Sequence, residues 1–173
     1  MSWSKWGKEL STAEQVDLLE FCVAEGNNRF DGADIYGDYS TEGDFGKALK
    51  ESQIDREEIE IISKCGIQLE GGSRKTQVKH YNYTEEYIIW STEQSLKKLQ
   101  TDYIDLFLLH RPSPLMNPHE IAAAISKLKE SGKIRQFGVS NFSPSQVELI
   151  RDHIKVEANQ IQCSLTHSDA MWD

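Results

Sequence analysis

Apolar segments of strand length alternate with capped helical segments along this chain. The most informative of them runs from Tyr103 to Leu109 and is followed by His110-Arg111-Pro112. A short apolar run that closes on a proline is typical of a parallel strand that is buried on both faces and ends in a loop. Similar segments of strand length lie at 28–31, 59–64, 136–140 and 156–163. Strands separated in this way by helices predict a parallel sheet with right-handed crossovers.

Capping residues mark the helices between these strands. The segment 11–14 is Ser-Thr-Ala-Glu, which predicts a capping box, and Gly26 predicts the end of that helix. Asn117-Pro118 and Ser143-Pro144 each place a capping residue before a proline, which predicts two further helix starts. Helices are also expected at 41–49 and from Thr84. The polar segment 68–83 predicts a long loop over one end of the sheet.

Two parallel architectures compete, a closed barrel and an open doubly wound sheet. No Gly-x-Gly-x-x-Gly follows a predicted strand, which weakens the dinucleotide-binding open sheet. Only five strands are predicted, fewer than the eight of a complete barrel. We therefore expect an α/β fold, a partial (β/α)8 TIM barrel that lacks the first strand and the last two βα units. Residues 1–173 would form a single incomplete domain.

Charge and cysteine content exclude some classes of function. The net charge is −9, which disfavours nucleic acid or an anionic membrane as a partner. No apolar run approaches the roughly 20 residues of a membrane-spanning helix, and the first residues carry no apolar signal core. The three cysteines are widely spaced, which predicts reduced thiols in a cytoplasmic protein and no metal site.

Four side chains capable of proton transfer fall at or just past strand ends. They are Asp31, Tyr36, Lys64 and His110. In a barrel, the carboxyl ends of the strands form the catalytic face. The tyrosine pKa of about 10 is too high for an efficient acid at neutral pH, and a neighbouring lysine is expected to lower it. A carboxylate would hold the lysine, and a histidine could donate a hydrogen bond to a carbonyl oxygen. Since no side chain donates a hydride, reduction would require a cofactor such as a nicotinamide.

Each of these residues also has a structural interpretation when it is taken alone. Asp31 could cap a turn, Lys64 could end a strand in solvent, and Tyr36 could pack at the rim. A histidine at a strand end is more often structural than catalytic. Their joint occurrence at the ends of three successive strands favours the catalytic interpretation.

The chain resembles the aldo-keto reductase family over nearly all of its length. The motifs that carry the resemblance are Phe30-Asp31-Gly32-Ala33-Asp34-Ile35-Tyr36-Gly37, Ser63-Lys64, Ser91-Thr92-Glu93-Gln94-Ser95-Leu96, the run 102–110, Gly138-Val139-Ser140-Asn141-Phe142 and Asn159-Gln160. The resemblance implies reduction of a small-molecule aldehyde or ketone with NADP(H).

The resemblance also implies a role for each candidate residue. Tyr36 would be the general acid/base, Lys64 and Asp31 would tune it, and His110 would orient the carbonyl. The nicotinamide carboxamide would be held by Ser140, Asn141 and Gln160. By contrast, Asp34 and Asp105 are expected to serve structure, and Cys65 and Cys163 are expected to pack.

The sequence also departs from the family pattern. Gly32 stands where the family often has a larger residue, which is expected to loosen the turn before Tyr36. The family segment for the adenosine phosphate and the aromatic residue that stacks on the nicotinamide lie beyond residue 173, so weak cofactor binding is expected. The alternative function is a catalytically inactive fragment or a non-enzymatic binding relative of the same fold.

The partial barrel also predicts self-association. Its outer strands, 28–31 and 156–163, would leave sheet edges open, and Phe30, Ile161 and Leu165 are expected to be exposed there. The carbonyl substrate and the preference between NADP and NAD are left open by the sequence.

Overall fold

The computed structural model describes residues 3–71, 74–164 and 166–167. Its main sheet has five parallel strands in the spatial order β1-β2-β5-β6-β7. These strands are β1 (Arg29–Asp31), β2 (Glu60–Cys65), β5 (Ile104–Leu109), β6 (Ile134–Ser140) and β7 (Ala158–Gln160). The sheet is curled into a half-barrel, as the strand and helix alternation predicts.

The first helix precedes β1, the later helices follow strands, and neighbouring helices pack against one another along the sheet. They are α1 (Thr12–Ala24), the short turn α2 (Tyr36–Tyr39), α3 (Thr41–Glu51), α4 (Glu85–Leu99), α5 (Pro118–Glu130) and α6 (Pro144–Arg151), with a 3₁₀ turn at Arg56–Glu58. Ser11 and Ser143 form capping boxes, and Asn117 accepts a hydrogen bond from the N–H of His119. The caps therefore lie where the sequence predicts them. No helix in the described part of the chain is long and apolar enough to cross a membrane.

Two predicted segments differ in the structure. The stretch 68–83 is not a single loop, because β3 (Ile67–Gln68) and β4 (His80–Tyr81) pair there as an antiparallel hairpin. This pairing satisfies backbone groups that a long loop would leave to water. The last strand is also shorter than 156–163, since its register with β6 ends at the pair Ser140 and Gln160.

The main core lies between the sheet and the helices. The expectation that Phe30 is exposed is wrong, because its ring packs 6.2 Å from Trp3 and 5.4 Å from Phe45 and is only 4% exposed. Ile161 is 44% exposed, as expected. Leu165 lies outside the described residues.

The cysteines divide between the core and the surface. Cys65 is fully buried and packs in the main core. Cys163 is exposed, so the expectation that it packs is wrong. It follows a three-residue strand whose outer side meets no further strand among the described residues.

Candidate active site

The predicted site residues come together at the carboxyl edge of the sheet. Asp31 ends β1, Lys64 is next to the last residue of β2, and His110 directly follows β5. Ser140 and Gln160 end β6 and β7 and are register partners. Parallel strands present their carboxyl ends at one edge, so local sequence position alone brings these groups into one region.

Lys64 and Asp31 form an ion pair. The Lys64 ammonium lies 2.7 Å from Oδ1 of Asp31 and donates to the Gly32 carbonyl at 2.9 Å. Lys64 is 1% exposed, and burial lowers its pKa while the charge of Asp31 opposes that change. The Gly32 carbonyl takes part in holding the lysine, and the Gly32 N–H donates to Ile62 at 2.8 Å. Both backbone groups of Gly32 therefore take part in hydrogen bonds to β2.

Tyr36 lies close to both the lysine and the histidine. The Lys64 ammonium is 5.3 Å from the centroid of the Tyr36 ring, and the His110 ring is 5.7 Å from it in an edge-on arrangement. The backbone turns sharply after Tyr36, where Gly37 has a φ of +61° and a Cβ would lie 2.6 Å from Oγ1 of Thr41. The positive φ and the crowding therefore favour glycine at this position.

The pKa of Tyr36 does not change in the expected direction. Burial raises the pKa of Tyr36, the negative charge of Asp31 adds to the rise, and Arg111 lowers it. The expectation of a pKa lowered by the lysine is therefore wrong for this structure. The physical reason is that burial of the phenol disfavours the phenolate, and the negative charge of Asp31 adds to that effect. Tyr36 is a protonated phenol in this arrangement and can donate a proton.

His110 is a neutral imidazole near pH 7. Burial lowers its pKa to about 4, and the positive charges of Lys64 and Arg111 act in the same direction. Among the described residues, its buried Nδ1 has no hydrogen-bond partner. A neutral imidazole has one N–H donor and one acceptor nitrogen, so His110 can donate to a carbonyl oxygen without carrying charge.

The three predicted cofactor residues form a connected group beside the ion pair. The Asn141 side-chain amide donates to Oγ of Ser140 at 2.8 Å, and its backbone N–H donates to the Gln160 carbonyl at 2.9 Å. Nε2 of Gln160 donates to Oδ1 of Asp31 at 3.1 Å. The amide oxygens of Asn141 and Gln160 are acceptors and the Ser140 hydroxyl is a donor, a set that fits a carboxamide.

The structure adds a buried charged cluster that sequence reasoning did not find. The Arg74 guanidinium lies 3.3 Å from Oδ2 of the fully buried Asp34 and stacks on Tyr39 and Trp90, with 4.0 and 4.8 Å to the ring centroids. Position 74 lies in a polar segment without periodicity, so no sequence signal marks it. Burial raises the pKa of Asp34 to about 7, although Arg74 and Ser91 oppose the rise.

Asp105 joins neighbouring elements near the amino-terminal end of β5, at the opposite end of the sheet from the site. Its carboxylate lies 2.6 Å from Arg56 and 3.2 Å from Arg135, and it accepts the Ile61 N–H at 2.9 Å. These contacts agree with the structural role expected for Asp105.

Comparisons with known proteins show the family and the fold. The family model described as "Aldo/keto reductase family" matches residues 1–171. The chain is 46% identical over 166 residues to the uncharacterized oxidoreductase YcsN of Bacillus subtilis, and 41% identical over 164 residues to a 6-dehydroglucose reductase of Agrobacterium fabrum. These matches cover 94% and 93% of this chain and 55% of each relative.

Solved structures show the same fold. The glycerol dehydrogenase AKR11B4 of Gluconobacter oxydans superposes with a TM-score of 0.84 at 28% identity, over 99% of this chain and 53% of that chain. The thermostable aldo-keto reductase Tm1743 gives a TM-score of 0.82 at 29% identity, over 99% of this chain and 60% of that chain. The chain thus spans about half the length of the relatives that it matches.

Proposed function

Because this chain belongs to the aldo/keto reductase family, we propose that it reduces a small-molecule aldehyde or ketone to the alcohol with NADP(H). The observation that carries the proposal is the ion pair between the buried Lys64 and the partly exposed Asp31, which lies beside Tyr36 and His110 at one edge of the sheet. Each of these residues has a separate task in a carbonyl reduction.

Tyr36 is the proton donor in this proposal. Its phenol is protonated because burial raises its pKa. As the carbonyl carbon accepts a hydride, the carbonyl oxygen gains negative charge and takes the proton from the Tyr36 hydroxyl. The Lys64 ammonium, 5.3 Å from the ring, stabilises the phenolate that remains, and Asp31 keeps the ammonium in place.

His110 orients the substrate. A neutral imidazole donates its N–H to the carbonyl oxygen but does not compete with Tyr36 as an acid, since its pKa is about 4. This division leaves one proton source for the reaction. His110 thereby polarises the carbonyl before the proton moves.

Ser140, Asn141 and Gln160 would hold the carboxamide of the cofactor. The nicotinamide ring supplies the hydride when the cofactor is bound. Gln160 also donates to Asp31, so the residues for the carboxamide and the residues for the proton transfer share one hydrogen-bond network. This link would hold the carboxamide of the cofactor in a fixed position relative to the residues that supply the proton.

The Tyr36→Phe variant tests the proposal. We expect carbonyl reduction by the 173-residue chain to fall by about 10²–10⁴, the usual contribution of a general acid. NADPH affinity should stay nearly unchanged, because the hydroxyl acts on the substrate oxygen and not on the carboxamide. Loss of NADPH absorbance with a panel of aldehydes measures the rate, and quenching of tryptophan fluorescence measures binding.

A matched control is Tyr81→Phe, which removes a hydroxyl from a tyrosine that is 41% exposed on β4. Its rate should equal that of the unmodified chain. Full turnover by Tyr36→Phe would remove Tyr36 from the mechanism. Fluorescence quenching by NADPH without turnover of the unmodified chain would instead favour a binding relative that has lost the reaction.

A further inference from the structure

The loop that presents His110 is fastened by a second tyrosine, Tyr83, which lies just before α4. Tyr83 is 5% exposed and packs in the main core. Its hydroxyl donates to the carbonyl of Arg111 and accepts the N–H of the same residue, the latter at 3.2 Å. One phenol oxygen therefore satisfies both backbone groups of the residue that follows His110.

The ring of Tyr83 is seated on Gly66, directly after β2. A Cβ at Gly66 would lie 2.0 Å from Cε1 of Tyr83, so only glycine leaves room for the ring. The Asn82 N–H donates to the Gly66 carbonyl at 2.9 Å, and the His110 N–H donates to the Cys65 carbonyl at 2.9 Å. The ring and the hydroxyl of Tyr83 thus join the loop after β2 to the loop after β5.

We propose that Tyr83 is a positioning residue for His110, which it aims at Tyr36 by clamping the backbone of Arg111. The proposal rests on the reductase function above. Among the described residues, Nδ1 of His110 has no hydrogen-bond partner, so the direction of the ring depends on the backbone that carries it. Burial raises the pKa of Tyr83, so its hydroxyl stays protonated and can donate throughout the neutral range.

The Tyr83→Phe variant removes the clamp and keeps the ring on Gly66. We expect the His110 ring resonances, read by NMR of the histidine-labelled 173-residue chain, to move. The titration midpoint of His110 should rise from about 4 toward the ordinary 6.5, because a released imidazole is better hydrated. The kcat for carbonyl reduction should fall about tenfold or more with the KM for NADPH unchanged, since a misplaced catalytic group costs rate rather than cofactor binding.

The Tyr81→Phe variant is the matched control, because Tyr81 lies two residues away and is exposed. It should leave the His110 titration and kcat unchanged. A folded Tyr83→Phe chain with an unchanged His110 titration would overturn the proposal, whatever its turnover. Absence of turnover in the unmodified chain would count against the reductase function alone.

A measurement on the unmodified chain covers the case in which Tyr83→Phe does not fold. The Arg111 amide should exchange slowly with deuterated solvent, because its hydrogen is bound to a buried phenol oxygen. Rapid exchange of this amide in the folded chain would also overturn the proposal.

Discussion

At the scale of single residues, burial decides the protonation state of His110 and Asp34. His110 and Asp34 are both buried, and burial moves their pKa values in opposite directions, to about 4 and about 7. His110 is charged more easily in the unfolded chain, so its burial costs stability as the pH falls from about 6.5 to 4. Asp34 is ionised more easily in the unfolded chain, so its burial costs stability as the pH rises from about 4 to 7.

The Asp34→Asn variant isolates the contribution of Asp34 to the pH dependence of stability. Asparagine cannot ionise, so the variant escapes the cost of burying a carboxylate as the pH rises. Its unfolding free energy, relative to the unmodified chain, should improve between pH 5 and pH 8 by on the order of 2 kcal/mol. Urea unfolding at both pH values measures this difference, and the His110 contribution cancels because both chains contain it.

Asp102→Asn provides the control, because it makes the same substitution at an exposed side chain. It should change the unfolding free energy by no more than about 0.5 kcal/mol, as is usual for a surface substitution. A difference between Asp34→Asn and the unmodified chain that stays constant from pH 5 to pH 8 would show that Asp34 is not protonated in the folded state.

At the scale of elements, the close approach of α3 to the end of α4 sets how the helices cover the sheet. Gly46 is the contact point, since a Cβ there would lie 2.3 Å from the Lys98 carbonyl oxygen. Lys98 in turn donates through its ammonium to the Tyr39 carbonyl at 2.9 Å, which ties α4 to the turn after Tyr36. The helix packing and the site are therefore connected through one stretch of backbone.

The Gly46→Ala variant should lower the unfolding free energy by about 1–3 kcal/mol, the usual cost of overpacking. The cost arises because the nearest atoms to a Cβ at Gly46 are backbone atoms of α4, which cannot rotate away. Gly43→Ala on the same helix meets no atom within 4 Å and should be neutral or stabilising by up to about 1 kcal/mol. Denaturant unfolding of both variants checks the pair, and equal effects would contradict close packing at Gly46.

At the scale of the whole molecule, the half-barrel has two open edges. Among the described residues, β1 pairs only with β2, and β7 pairs only with β6. Open edges present unpaired N–H and C=O groups that invite association. The β1 side is partly protected, because Phe30 packs against Trp3 and Phe45. The β7 side leaves Ile161 exposed.

We expect the 173-residue chain to associate, mainly through the β7 edge. Ile161→Lys should reduce the associated fraction in sedimentation, because a charge at an open edge disfavours strand pairing. Leu149→Lys is the control, since Leu149 is 45% exposed, close to the 44% of Ile161, but lies on α6. A monodisperse monomer with a sharp, cooperative melt would contradict the prediction and show that the half-barrel is self-sufficient.

The sequence by itself determined the order of the five parallel strands and of the helices between them, and the edge of the sheet on which the candidate site residues lie. Strand segments and helix caps are local patterns, because burial along a strand and satisfaction of a helix end depend on neighbouring residues. Asp31, Lys64 and His110 could be grouped for the same reason, since each follows from its position at a strand end.

Only the tertiary structure decided contacts between residues far apart in the chain. Arg74 meets Asp34, Tyr83 clamps Arg111, and Trp3 covers Phe30, and no periodic pattern records such pairs. The direction of the Tyr36 pKa was also decided there, because it depends on the burial of the phenol and on the nearby charge of Asp31. Local patterns report how a segment is buried, whereas distances between segments exist only once the chain has folded.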